Sequence, residues 1–200
     1  MRRLAIETAG SACSIALIED GAVIAERHET VGRGHAERLI PWIAQLPDGG
    51  KADEIIVGCG PGSFTGVRIG IAAARGLGLG WNVPVRGISS LMLIAAGCSA
   101  QSFAVAVEGG HGEILVQPFA REPLRALAEF VSLTPKDAAR VFGEDLVIGS
   151  AADRLVSARG FGSAHASEAR ASCAAIVPTE HFYQSPTPIY ARLPDAKRLA

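Results

Sequence analysis

Apolar and polar positions alternate in short runs at the start of the chain. Leu4 to Glu7 and Cys13 to Ile18 each read as a strand, joined by a small polar loop. Glu19-Asp20-Gly21 then turns the chain into a third strand, Ala22 to Arg27; Asp-Gly between apolar runs is a strong hairpin signal. The period then changes. Ala36, Leu39, Ile40 and Ile43 fall at i, i+3, i+4 and i+7, which predicts a helix over His35 to Leu46. Its apolar stripe should cover the sheet, leaving Arg38 and Trp42 on an outer face. Asp53 to Cys59 carries Ile55-Ile56-Val57, a buried strand that enters a Gly-rich turn. A small-residue helix from Thr65 to Gly80, a strand from Val83 to Ile88 and a helix from Ser90 to Ala96 follow, the last capped by Ser89 or Ser90.

The order then begins again. Ala104-Val105-Ala106-Val107-Glu108 echoes Leu4-Ala5-Ile6-Glu7, and Ile114 to Gln117 echoes the second strand. Asp145-Leu146-Val147-Ile148-Gly149 echoes Glu54-Ile55-Ile56-Val57-Gly58 and is again followed by a helix-like segment, Ala151 to Val156. Similarity on this scale points to a duplicated α/β unit, with halves at 1–98 and 99–200. Arg121 to Phe142 and Gly160 to Ala171 show no readable period. The Pro-punctuated tail, Pro178 through Pro194, reads as an extended segment.

Composition narrows the function. Nineteen basic and 20 acidic residues give a net charge of −1, and no run of cations exceeds two. A protein that holds nucleic acid alone presents a basic face, because phosphate neutralisation supplies most of the affinity; independent RNA binding is therefore not expected. The four cysteines, Cys13, Cys59, Cys98 and Cys173, form no CxxC pair and suit a reduced, cytosolic protein. The apolar run after Met1-Arg2-Arg3 stops at Glu7, too short for a signal peptide. No stretch approaches the roughly 18 apolar residues of a membrane helix.

The stretch Gly60-Pro61-Gly62-Ser63-Phe64-Thr65-Gly66-Val67-Arg68 lies between a buried strand and a helix start, where free backbone N–H groups attract anions. It is not a Walker loop, since no Lys-Ser or Lys-Thr follows its last glycine, and Thr65 takes the place of the third glycine of a dinucleotide fingerprint. Phosphate binding and a tight turn that uses glycine's backbone freedom both stand as readings. In the helix that follows, Gly66, Gly70, Ala74 and Gly78 are spaced by four and form one smooth ridge. Such a ridge lets another element approach closely, within the chain or from a partner. His28, His35, His111, His165 and His181 lack metal-ligand spacing, and no GxSxG elbow exists. Glu7 and Glu108 end strands beside small-residue turns, where acids often hold metal-phosphate groups; a structural or solvated role is the expectation for both.

The opening LAIETAGSACSIALIEDG together with GPGSFTGVRIGIAAARGLGLG closely resembles the TsaB family, and GRGHAERLIPWI and VPVRGISSL fit the same pattern. The match covers about the first half of the chain and thins beyond Ala100, although IYARLPDAK resembles that family's C-terminal signature. The resemblance implies an actin-like (ASKHA, ribonuclease H-like) duplicated α/β fold with mixed sheets flanked by helices. It also implies a non-catalytic, cytoplasmic subunit of the complex that transfers a threonylcarbamoyl group to adenosine in transfer RNAs reading codons that begin with A. Its partners would be a TsaD-like transferase and a TsaE-like ATPase; alone, monomer and homodimer both stand as readings, and tRNA would be met only through the complex. TsaD holds its metal through two histidines four residues apart on a helix. Here the comparable helix has His35 and Leu39, so no metal site carries over. Glu7 stands where TsaB usually shows Asp, and Glu108-Gly109-Gly110-His111-Gly112-Glu113 lacks the Asp-x-Arg start common in its second hairpin. The resemblance places the partner interface on the paired helices, at His35, Arg38, Leu39, Trp42 and Ile43 of the first and Arg68, Ile69, Gly70, Ala73, Ala74 and Leu77 of the second. No catalytic, cofactor-binding or metal residue is expected. The alternative is a degenerate actin-like phosphotransferase or a peptidase-like enzyme.

Overall fold

The computed structural model describes residues 1–191; the RLPDAK end of the C-terminal stretch, and with it Pro194 at the end of the expected tail, lies outside the described residues. The first sheet takes β1 (Arg2–Glu7), β2 (Ala12–Glu19), β3 (Ala22–Thr30), β4 (Glu54–Gly58) and β5 (Val85–Ile88) in the order β3-β2-β1-β4-β5. Strands β1 to β3 are antiparallel, whereas β1, β4 and β5 run parallel. The parallel joins need crossovers, which α1 (His35–Ala44) and α2 (Phe64–Trp81) supply.

The second sheet repeats this plan. It takes β6 (Ser102–Gly110), β7 (Glu113–Arg121), β8 (Leu124–Ala126), β10 (Leu146–Ile148) and β11 (Ser163–His165) in the order β8-β7-β6-β10-β11, with β9 (Val131–Leu133) also paired to β7. Helices α4 (Pro135–Val141) and α5 (Ala152–Arg159) stand where α1 and α2 stand in the first unit. The region from Arg121 to Phe142, without readable period, holds β8, β9 and the whole of α4. Strands of three residues are too short to show alternation, and α4 depends on a local device: the Thr134 hydroxyl accepts from the Asp137 N–H at 3.2 Å.

The pleat sorts side chains between two environments. Leu4, Ile6, Ile15, Leu17, Ile55 and Val57 face α1 and α2. Their neighbours Ala5, Ala16, Ile18 and Ile56 face the opposite way, into a core shared with α3 (Ser90–Ala96), with Phe103, Val105 and Phe119 of the second sheet, and with the 3-10 turn Ala171–Ala175. A third cluster joins Ala104, Ala106 and Val116 to α4 and α5. Each sheet thus has its own outer helix pair, and the inner faces meet in one core. Among the described residues no helix is long and apolar enough to cross a membrane.

The facing of α1 differs from the sequence expectation, and that of α2 decides between two readings that the sequence left open. On α1 the buried positions are His35, Leu39, Trp42 and Ile43, while Ala36 and Ile40 are exposed. The stripe is rotated because Trp42, with far more apolar area to bury than Ala36 or Ile40, turns inward, and the Arg27 guanidinium stacks on its ring at 4.2 Å. On α2 the ridge of Gly66, Gly70, Ala74 and Gly78 faces the sheet. A Cβ at Gly66 would collide with the Thr8 carbonyl, one at Gly70 with the Thr8 hydroxyl, and one at Gly78 with Val85.

Candidate functional site

Two surfaces carry the residues singled out by sequence: a cleft between the two units and the outer faces of α1 and α2. The cleft has a volume of about 620 Å³. Its walls are the turn Ala9–Ser11 after β1, the Pro61–Phe64 turn before α2, the β6–β7 hairpin from Val107 to His111, Ser150 before α5, and Ser167 to Ala169.

The Gly-rich stretch behaves as a tight turn. Gly60 takes a φ of +88°, the Ser63 N–H donates to the Ala9 carbonyl at 2.7 Å, and Ser63 Oγ accepts from the Gly66 N–H at 3.2 Å. Two donors that an anion would use are therefore engaged inside the chain.

Both strand-end glutamates are likewise held by the protein. Glu7 is buried; its Oε1 accepts from the Ala9 N–H at 2.5 Å and its Oε2 from the Ser90 hydroxyl at 2.7 Å. Ser90 accepts in turn from the Gly60 N–H at 3.2 Å. This explains why α3 lacks a serine side-chain cap: Ser89 occupies the cap position without a side-chain bond, and Ser90 points inward. Burial pushes the Glu7 carboxyl above the ordinary range, against the downward pull of Ser90 and of the Ala9 and Thr8 N–H groups. A carboxyl raised on folding gives stability that is complete below the unfolded-state value and is lost as pH rises through the folded one. Glu7→Gln should therefore flatten the pH dependence of the denaturation midpoint upward from about pH 4.3, the unperturbed glutamate value. An unchanged profile would show that Glu7 folds without a shifted proton. Glu108 is half exposed and pairs with Arg154 at 2.5 Å, while the other Arg154 amino group donates to the Gly112 carbonyl at 2.8 Å and pins the hairpin.

The histidines lie apart. The His35 ring sits 3.3 Å from the Ala12 carbonyl and that of His181 2.9 Å from the Leu124 carbonyl, while His111 and His165 are exposed. His28 faces Glu168, a residue that sequence reasoning missed because its partners stand 138 and 157 positions away.

On the outer surface, the residues expected at an interface divide by burial. His35, Leu39, Trp42, Ile43, Gly70 and Ala74 belong to the chain's own interior; Ile69, Ala73 and Leu77 are half-buried; Arg38 and Arg68 are exposed. Around the exposed pair lie Ala36 and Ile40 of α1 and Ala72, Gly76, Leu79 and Gly80 of α2, all open to solvent. A Cβ at Gly76 or Gly80 would meet nothing within 4 Å. The helix thus has a second small-residue face, on the side opposite the ridge read from sequence. Its first turn is fixed from outside: Arg68 stacks on Phe64 at 3.6 Å and donates to the Tyr190 hydroxyl at 2.9 Å. Tyr190 lies on a strap held by paired Tyr183–Gly87 backbone bonds, by Arg75 on the Pro186 carbonyl and by the Ile189 N–H on the Cys59 carbonyl.

A family model described as "TsaD: tRNA N6-adenosine threonylcarbamoyltransferase" matches residues 23–171. The tRNA threonylcarbamoyladenosine biosynthesis protein TsaB of Escherichia coli (strain K12) is 40% identical over 131 residues, which cover 61% of this chain and 56% of that protein. That of Haemophilus influenzae is 34% identical over 132 residues, again 56% of its length, so the chain spans about half of these curated relatives. An uncharacterized protein of Mycobacterium tuberculosis (strain ATCC 25618 / H37Rv) is 33% identical over 98% of this chain and 94% of its own length. Among solved structures, an uncharacterized Pseudomonas aeruginosa protein with similarity to peptidase YEAZ superposes with a TM-score of 0.80 at 26% identity, covering 96% of this chain and 99% of that one. The ethanolamine utilization protein EutJ of Carboxydothermus hydrogenoformans, 8% identical with a TM-score of 0.54, shares the fold alone. The mixed α/β sheets with flanking helices are those implied by the sequence resemblance.

Proposed function

The chain belongs to the TsaD family and lies with its TsaB members, and from that membership we propose that it serves tRNA threonylcarbamoyladenosine biosynthesis as a non-catalytic partner subunit. It binds a TsaD-like transferase through the outward faces of α1 and α2, a TsaE-like ATPase joins the assembly, and tRNA is met only in the complex. The place of action is the cytoplasm.

One observation carries the reading: the acids at the ends of both inner strands are engaged within the chain. Glu7 is buried against Ala9 and Ser90, and Glu108 is paired with Arg154. Both carboxylates are thus already tied within the chain, Glu7 in the interior and Glu108 in an exposed ion pair, which disfavours the phosphotransferase alternative. The peptidase alternative needs a nucleophile beside its base, and Cys13 and Cys59 are buried thiols pushed up to about 11 by desolvation, far from the thiolate such chemistry uses.

The test is reconstitution of threonylcarbamoyl transfer with the cognate TsaD and TsaE homologues. Transfer should require this chain and survive Glu108→Ala to within about twofold, as for a surface substitution away from the chemistry. Loss of transfer by that variant inside an intact complex, or turnover of nucleotide by the chain alone, would overturn the non-catalytic assignment.

A further inference from the structure

The outer helix pair of the first unit carries an unbalanced charge. Within α1 and α2 the one acid is Glu37, whereas Arg38, Arg68 and Arg75 are all exposed, as is Arg33 just before α1. The imbalance is local, because the whole chain has a net charge of −1. On other surfaces arginines are neutralised in place: Arg2 by Glu19, Arg3 and Arg86 by Glu54, and Arg154 by Glu108. On the outer helices they meet neutral acceptors instead. Among the described residues Arg38 donates to the Arg33 carbonyl at 3.1 Å, Arg68 to the Tyr190 hydroxyl at 2.9 Å and Arg75 to the Pro186 carbonyl at 2.8 Å. Each guanidinium is thus held by one bond while its charge stays uncompensated. The fork has five N–H donors, so most remain for a carboxylate, which can be gripped by two at once. Because the side chains are already ordered, little rotamer freedom is lost when a carboxylate arrives.

The cations are interleaved with apolar positions. Arg68, Ala72, Arg75, Gly76 and Leu79 follow i, i+4, i+7, i+8 and i+11, one outward stripe of α2, and Leu79 is 86% exposed. On α1, Arg38 shares the open surface with Ala36 and Ile40. A polyanion such as RNA would neutralise the arginines and leave Leu79 and Ile40 in water. The rings that could stack on bases are engaged already: Arg68 covers Phe64 at 3.6 Å, and Phe64 lies 5.3 Å from Tyr190. Exposed apolar side chains among unpaired charges match the core and rim of a protein interface.

We propose that the partner face which meets α1 and α2 is acidic, with carboxylates placed to take Arg38, Arg68 and Arg75 around an apolar centre. The proposal rests on the partner reading above and adds to it the charge of the opposing surface. Complementary charge acts mainly on the encounter, so the arginines steer the partner in before the apolar positions close.

The experiment follows association of the native chain and its variants with the TsaD homologue by stopped flow across a salt series. Raising salt from about 50 mM to about 500 mM should slow the native chain at least about tenfold, inside the range that steering spans. Arg38→Glu with Arg75→Glu should be slower by about tenfold or more at low salt, and the gap should close at high salt. Arg38→Gln with Arg75→Gln should shift the rate in the same direction by less, and serves if the reversal folds poorly. Arg125→Glu with Arg140→Glu makes the same change of net charge on the second unit and should alter the rate by no more than about twofold. A salt-independent rate, native-like association by the folded variants, or an equal loss from the second-unit pair would each overturn the acidic face and leave the partner reading standing. Variants that bind the homologue normally but lower the affinity of the assembled complex for tRNA would overturn it in favour of RNA. Failure of the native chain to bind the homologue at any salt would remove both.

Discussion

Replacing Gly66 by alanine should cost about 3 kcal/mol or more of folding stability, at the upper end of overpacking effects, because the new methyl has no room. Gly66 is buried where α2 meets β1; the Thr8 carbonyl lies where a Cβ would stand, and the Thr8 hydroxyl donates back to the Gly66 carbonyl at 2.8 Å. The colliding atom is backbone, so no rotamer change relieves the clash. Gly70→Leu, which would drive a whole side chain against Thr8 and Val57, should be at least as severe. The same helix supplies the control. Gly76 and Gly80 are open, so Gly76→Ala should stabilise the chain by about 0.5–1 kcal/mol through restriction of the unfolded state. Urea denaturation midpoints would show opposite signs for one substitution a few turns apart. A neutral Gly66→Ala would mean that helix and strand do not approach so closely.

Association with the TsaD homologue should be lost in Gly76→Leu and in Ile40→Glu, with the fold of each intact. Both positions are solvent-exposed, so neither change disturbs the isolated chain. If the small-residue face of α2 and the exposed ridge of α1 meet a helix pair of the partner, a leucine at Gly76 holds the helices apart and a glutamate at Ile40 strands a charge in a buried contact. Either change should weaken binding by about tenfold or more, read by co-elution and by titration, with circular dichroism as the control for folding. Unimpaired complex formation by both variants would place the partner elsewhere. The outer face is a better target than Gly70 or Ala74, whose substitution would break the fold before it reached any partner.

The strands and the repeat were legible in the sequence because fully buried strands write their apolar runs without interruption, as Ile55-Ile56-Val57 and Ala104-Val105-Ala106 do. The helices were found, but their rotation was not. On α1, Ala36 and Ile40 fit a stripe as well as His35 and Trp42 do, and only the sheet beneath decides between them. On α2 small residues occur all round, so spacing by four picked out a true ridge without saying which side it faced. The cleft was the least readable part. The side-chain partners of Glu7, Glu108 and Glu168 lie 83, 46 and up to 157 positions away, and no local pattern announces contacts of that range.

The shared core turns an inherited repeat into a single mechanical body. Leu91, Leu93 and Ile94 of α3 belong by sequence to the first unit, yet they are sealed by Phe103, Phe119 and the 171–175 turn from the second. A first unit expressed alone would leave those side chains facing water and would aggregate. The inner faces therefore act as one surface, whereas each outer helix pair packs against its own sheet. Heating should accordingly melt the chain in one transition, not two.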